Sequence, residues 1–255
     1  MSSIRSLPIR LKLISCEILY RELCATVARS PNYVDIEFVP KGLHDLPSGD
    51  MVKRLQDILD RVDETRYDAI LLAYALCNNG LVGLRARTRP LIVPRAHDCI
   101  TLFLGSAARY MEYFNANLGT YFKTTGWIER GETISGELKQ ASVMRKTGLD
   151  QSYEQLVAKY GEDNAKYLRE TLGDIHHNYS QITFIEMGVE PDGSFEQRAR
   201  DDAKARGWKF VKIQGDMGMI QRLVNGPWNG GEFLTVRPGE RVVASFDERI
   251  IAAEK

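Results

Sequence analysis

Neither sign of charge is in excess: 34 Lys plus Arg face 34 Asp plus Glu, and the formal net charge is zero. With no basic surplus to draw in a phosphate backbone, nucleic acid is not an expected partner. No run of about 18 apolar residues occurs, so no membrane-spanning helix is expected. The opening stretch, MSSIRSLPIRLKLIS, has arginines but lacks a long apolar core and a small-residue cleavage site. It reads as a tail entering the first strand rather than a signal peptide. Cysteine is scarce, with only Cys16, Cys24, Cys77 and Cys99 in 255 residues. Without an export signal, disulfides are not expected, and the thiols are left as core packing, metal ligands or nucleophiles. These absences together point to the cytoplasm. There is no C-x-x-C pair, no internal repeat and no low-complexity tract. Two glycine clusters fail as phosphate or dinucleotide loops. Gly80-Leu81-Val82-Gly83-Leu84 lacks the third glycine and opens no helix, and Gly215-Asp216-Met217-Gly218 is too short.

What is present is a 44% apolar chain, enough to bury a core in one large α/β domain or a domain with an appended lobe. Residues 9–15 alternate into a first strand with Cys16 at its tip, and Glu17–Val27 has helical spacing, with Cys24 expected on its buried side. Residues 33–39 alternate strictly as a second strand. LHDLPSGD reads as loop, and Met51–Asp63 is an amphipathic helix. Residues 67–76 are apolar throughout, as for a parallel strand covered on both faces, and end in Cys77-Asn78-Asn79-Gly80. Leu91-Ile92-Val93 stops at Pro94, ahead of Arg95, His97, Asp98 and Cys99, and a helix is predicted from there to about Asn115. The alternation predicts an α/β fold with a doubly wound, mostly parallel, Rossmann-like sheet. Residues 1–130 form its first half, 131–179 a helical insertion and 180–255 the half that completes it. The insertion includes His176 and His177, whose side chains would diverge by about 100° on a helix and so not share a metal. Asn117–Phe122 with Gly126-Trp127 reads as a Gly- and aromatic-rich connection, first as surface packing and second as a loop that covers a pocket.

The chemistry concentrates where strands end, because ligands of open α/β sheets sit at the carboxyl ends of parallel strands. Cys16, Cys77 and Cys99 each follow an apolar strand, and sheet topology would bring them to one rim. With His97 they make a soft donor set suited to zinc or a [4Fe–4S] cluster, with an open position for a substrate. Individually, each cysteine also reads as ordinary packing. Asp98 could orient His97 or pair with Arg95, and Arg95 could hold a carboxylate or phosphate. Glu17 suits the first turn of a helix by its charge, or a general base. Asn78-Asn79-Gly80 tolerates positive φ and offers backbone N–H groups to a bound cofactor. Catalytic roles are thus expected of Glu17, Arg95 and Asp98.

Several of these motifs resemble the bacterial and archaeal family known as domain of unknown function 1638. They are Cys16-Glu17, Cys77-Asn78-Asn79-Gly80, Pro94-Arg95-Ala96-His97-Asp98-Cys99-Ile100 with Leu104-Gly105-Ser106, Gly119-Thr120-Tyr121 and Gly126-Trp127, with Phe233-Leu234 and Pro238-Gly239 later in the chain. That resemblance implies a fold unit and no activity. The His-x-Cys pair is also similar to the zinc segment of cobalamin-dependent methyltransferases of the uroporphyrinogen-decarboxylase type, although no cysteine follows Cys99 here. The first expectation is therefore a metalloenzyme acting on a small molecule, with thiol or alkyl transfer as the reaction. Two others stand beside it: a metal-free small-molecule-binding or accessory protein, and an enzyme using Cys77 or Cys99 with His97 as a nucleophile. A small-molecule partner is expected in each case, and a homo-oligomer is left open.

Overall fold

The computed structural model describes residues 7–77, 79–131, 153–172 and 178–255, and is silent on the side chains of residues 48 and 168–172. Asn78, His176 and His177 lie outside the described residues. The chain is a mixed α/β fold with a mostly parallel central sheet. Strand β1 (Arg10–Cys16) lies between β2 (Tyr33–Val39) and β3 (Ala69–Ala73), parallel to both, with Leu13 opposite Ile36 on one side and Leu71 on the other. Strand β4 (Leu91–Pro94) runs parallel to β3. Both β3 and β4 are buried at every position, which is why their sequences are unbroken apolar runs. The first four strands therefore point their carboxyl ends the same way.

Helix α1 (Tyr20–Val27) follows β1 through a 3-10 turn at Glu17–Leu19, and a second 3-10 turn, Lys41–Asp45, leads from β2 toward α2 (Ser48–Arg61). Cys24 is exposed on α1 rather than buried. The single helix predicted after Cys99 is two. Gly105, at φ 82°, ends α3 (Ile100–Leu104), and the Ser106 side chain accepts from Arg109 N–H at 3.2 Å to start α4 (Ala107–Ala116).

The Gly- and aromatic-rich connection contains a strand, β5 (Thr120–Lys123), and a helix, α5 (Thr125–Gly131). β5 joins β6 (Gln181–Glu186) and β7 (Lys209–Gln214) in a separate parallel sheet. Between β5 and β6 lie α6 (Tyr153–Tyr160) and α7 (Glu162–Leu172). Helix α8 (Ser194–Arg206) packs on β6, β7 and α5 around Ile128, Ile182, Phe184, Ala199 and Ala203. Helix α9 (Gly218–Asn225) returns to the first sheet against β3 and α1. Strand β8 (Phe233–Val236) then pairs antiparallel with β4, and β9 (Arg241–Ala244) and β10 (Ile251–Glu254) form a hairpin. None of the described helices is long and apolar enough to cross a membrane.

The two sheets meet where α5 docks on the turn after β1. A Cβ built on Gly126 would lie 1.7 Å from the Ile18 carbonyl oxygen, so only glycine allows this approach. The contact is fastened by Arg21, whose Nε and Nη2 donate to Glu129 Oε2 at 3.0 and 2.8 Å. Since the obstacle is rigid backbone, Gly126→Ala should destabilise the protein by about 3 kcal/mol, the upper end of overpacking costs. Urea unfolding checks this; an unchanged midpoint would contradict the packing described.

Candidate functional site

A cleft of about 890 Å³ opens between the carboxyl ends of the first sheet and the edge of the second. Its floor comes from Lys41 after β2 and from Asp98, Cys99 and Ile100 after β4. Aromatic rings line it: Tyr110 and Phe114 from α4, Tyr121 and Phe122 from β5, Trp127 from α5, and Tyr179. Of its charged groups, Lys123 is paired with Asp202 at 2.6 Å, and Asp98 accepts from Tyr110 O–H at 2.8 Å while its other oxygen accepts from Ile100 N–H at 2.9 Å. Lys41 differs. Its ammonium lies 4.9 Å from the centroid of the Trp127 ring and, among the described residues, meets no carboxylate within ion-pair distance. Its backbone N–H donates to Glu17 Oε1 at 2.8 Å, which ties the end of β2 to the end of β1.

A more buried layer lies behind Trp127. His44 stacks on Tyr74 with ring centroids 5.6 Å apart and lies 6.4 Å from Trp127. Tyr74, just beyond β3, is 1% exposed, and its hydroxyl has no hydrogen-bond partner among the described residues. His44 keeps one edge toward the surface, but its Nε2 is sealed and, among the described residues, unpartnered, as is the Trp127 indole N–H. Beside that indole is the Cys99 sulfur, a weak acceptor at best. An unpaired buried hydroxyl costs on the order of 1–3 kcal/mol, so the layer is energetically expensive as it stands.

Burial sets the protonation of this layer. It pushes the Cys16 thiol up to about 12, against a backbone N–H contact at Ile18, and the Cys77 thiol up to about 12, with the Asp98 charge adding to it. Cys99 is raised well above the ordinary thiol value, first by burial and then by Cys77, Asp98 and Cys16. Burial, with Lys41 nearby, lowers His44 to about 4. At neutral pH the thiols are therefore protonated and the imidazole is neutral.

The expected metal centre is not there. Among the described residues, no group of three or more His, Cys, Asp or Glu side chains could hold a metal ion, and zinc or a [4Fe–4S] cluster has no ligand set. Cys16, Cys77 and Cys99 stand close enough to feel one another's charge, yet they are not gathered on a shared point. Cys16 and Cys99 are sealed into the apolar core, Cys77 is half-buried, and His97 turns to solvent. Strand topology fixes which residues end near one rim but not which way each side chain faces.

The other expected site residues fall in different places. Glu17 is near the cleft, as a brace for the Lys41 backbone and 3.8 Å from Arg130. Asp98 lines the cleft and pairs with Tyr110 rather than with Arg95. Arg95 donates to the backbone carbonyls of Gly230, Arg249 and Ile251, fastening the C-terminal hairpin to the end of β4. Asn79 adopts the expected positive φ, at 62°, and is exposed. Gly80 packs on Met51, and a Cβ there would lie 2.4 Å from Met51 Sδ, the far end of a flexible side chain, and 3.1 Å from the Cys77 carbonyl oxygen. Neither Asn79, Gly80, Arg95 nor His97 lines the cleft. Lys41, His44 and Tyr74 were not singled out by the sequence: Lys41 follows a strand end at Pro40, His44 sits in what reads as loop, and Tyr74 is hidden inside an apolar run. Trp127 lies in a segment that the sequence reads as either surface packing or a pocket cover, and it lines the cleft from α5.

Two buried groups pull the pH dependence of stability in opposite directions. Burial raises Glu22 to about 7, with Glu190 and Glu129 adding to it, and among the described residues neither of its oxygens has a hydrogen-bond partner. Its contribution is present below the unfolded value of 4.5 and is lost as pH rises through about 7. The lowered His44 contributes above its unfolded value of 6.5 and loses that as pH falls toward 4. Between about pH 4.5 and 6.5 the two offset each other. Glu22→Gln should therefore leave a protein whose stability rises with pH over that window, by roughly 1–3 kcal/mol. Denaturant titrations at several pH values check it, and a variant with the wild-type pH profile would contradict the assignment.

A search of the curated proteins and one of the solved structures each return no match. The family model described as a protein of unknown function (DUF1638) matches residues 38–224 of the 255, a span that holds the cleft floor, the Tyr74 layer and α5, and the chain belongs to that family.

Proposed function

We propose that the protein binds a small organic anion with a flat ring system in the cleft between its two sheets. The observation that carries this is the Lys41 ammonium. It stands over Trp127 in an aromatic-walled cleft where the other cationic groups have partners. Flat rings stack on such walls, and a cation without a carboxylate partner favours a negative group beside it. The volume, about 890 Å³, suits a ligand of drug or cofactor size.

The strand order supports the same place. In the order β2-β1-β3-β4 the sequence of strands reverses between β1 and β3, the point at which doubly wound sheets receive ligands. A doubly wound, Rossmann-like reading of the first sheet goes with this proposal. Glu17 is then a positioning residue for Lys41, and Asp98 a wall whose oxygens are already occupied. Non-covalent binding is favoured over thiol nucleophilic catalysis because burial holds the thiols protonated at neutral pH. Four free cysteines suit the reducing cytoplasm.

Thermal-shift and calorimetric titration with aromatic carboxylates and mononucleotides tests the reading. At least one should stabilise the wild-type protein and quench tryptophan fluorescence, and Lys41→Met should weaken it about tenfold or more, the worth of one charge-assisted contact. Full affinity in the Lys41→Met protein, or no stabilisation by any compound of either class, would overturn it.

A further inference from the structure

Glu22 is 0% exposed on α1, and among the described residues neither of its carboxyl oxygens meets a donor. Ionised in that setting, the group would lose its water and gain no hydrogen bond in return, a cost that protonation avoids. Its surroundings add to the cost. α5 brings Glu129 and the turn after β6 brings Glu190, and both charges favour the protonated form. Arg21, on the same helix, opposes them more weakly, being committed to Glu129 through Nε and Nη2 at 3.0 and 2.8 Å. The Glu190 oxygens accept from the Met187 and Gly188 N–H groups at 2.7 and 2.8 Å, which favours its charged form. In the 3-10 turn before α1, Glu17 accepts from the Lys41 N–H, and on α9, which also packs on α1, the charged residue is Arg222, taken by Glu232 at 2.6 Å.

The acid sits at the contact that joins the two sheets. Its neighbour Arg21 ties α1 to α5 and lies over the Phe195 ring of α8 at 6.0 Å, and the Ile18 carbonyl, just before α1, is where Gly126 docks. Glu129 and Glu190 belong to the elements on the far side of that contact. Once ionised, Glu22 is repelled by both, and parting α1 from those elements lets water reach it. We infer that Glu22 is a proton-operated latch: protonated, it lets α5 stay docked on the turn after β1, and ionised, it loosens that docking and frees the cleft wall at Trp127. The latch is a property of the free protein, and its bearing on affinity rests on the cleft being a ligand site. A ligand that holds Trp127 in place is then bound with uptake of a proton from solvent, by reciprocity.

The test needs no ligand. Hydrogen exchange on the full chain follows the α5 amides, Thr125–Gly131, from about pH 5 to about pH 7.5, with rates corrected for the pH dependence of intrinsic exchange. Glu22 titrates at its ordinary 4.5 once solvated and at about 7 when docked, so opening becomes easier between those values. His44, lowered to about 4, pulls the other way over the same range, and it is common to wild type and Glu22→Gln, so comparing the two cancels it. Protection of α5 in Glu22→Gln relative to wild type should grow at least about tenfold across that span. A constant ratio would overturn the latch. So would a ratio that grows equally for the β1 and β3 amides, because the effect would then belong to unfolding of the whole molecule. Glu190→Gln keeps Glu22 and removes one repelling charge, so α5 opening should level off at a lower pH than in wild type. This variant decides the matter if Glu22→Gln does not fold, and an unmoved levelling point would overturn the latch. The cleft reading stands or falls separately, on the Lys41→Met titrations.

Discussion

The approach of Gly126 to the Ile18 carbonyl is the constraint on which the site depends. It lets α5 lie against the turn that leaves β1, and the two-fold donation from Arg21 to Glu129 holds it there. The next residue, Trp127, is thereby brought from the second sheet's side of the molecule to the strand ends of the first. There it meets both Lys41 and His44. Without that contact the cleft would have no inner wall, and the layer containing Tyr74 and Cys99 would face solvent.

Electrostatics and burial then divide the site into two zones. The outer zone is aromatic, with most of its charges neutralised in place and Lys41 as the exception. The inner zone is desolvated, which keeps the thiols protonated and the imidazole neutral. The same desolvation works against metal binding by these cysteines, because a thiolate must form before it can ligate.

The sequence made the strand ends legible because buried parallel strands are apolar runs that stop abruptly, as β1 does at Cys16 and β4 at Pro94. Gly126-Trp127 was legible only as part of a Gly- and aromatic-rich connection, because the sequence alone does not separate surface packing from a pocket cover. Side-chain direction was beyond its reach. Cys99 and His97 are two residues apart, yet one is sealed in the core and the other faces water. Tyr74 could not be told from its apolar neighbours by periodicity, because a strand covered on both faces has none to read. Strand β5 was missed for another reason: it is four residues long, and its partner β6 lies some sixty residues further on, so nothing local announces it. The glycines were ambiguous in the same way. Gly80 serves the packing of Met51, and Gly105 breaks a helix that its flanking residues would otherwise continue.

The most direct measurement of the central claim is a crystal structure of the protein soaked with naphthalene-2-carboxylate. The account predicts the naphthalene ring among Tyr110, Tyr121 and Trp127, with its carboxylate beside the Lys41 ammonium. A ring bound elsewhere on the molecule, or a carboxylate turned out to solvent, would contradict it.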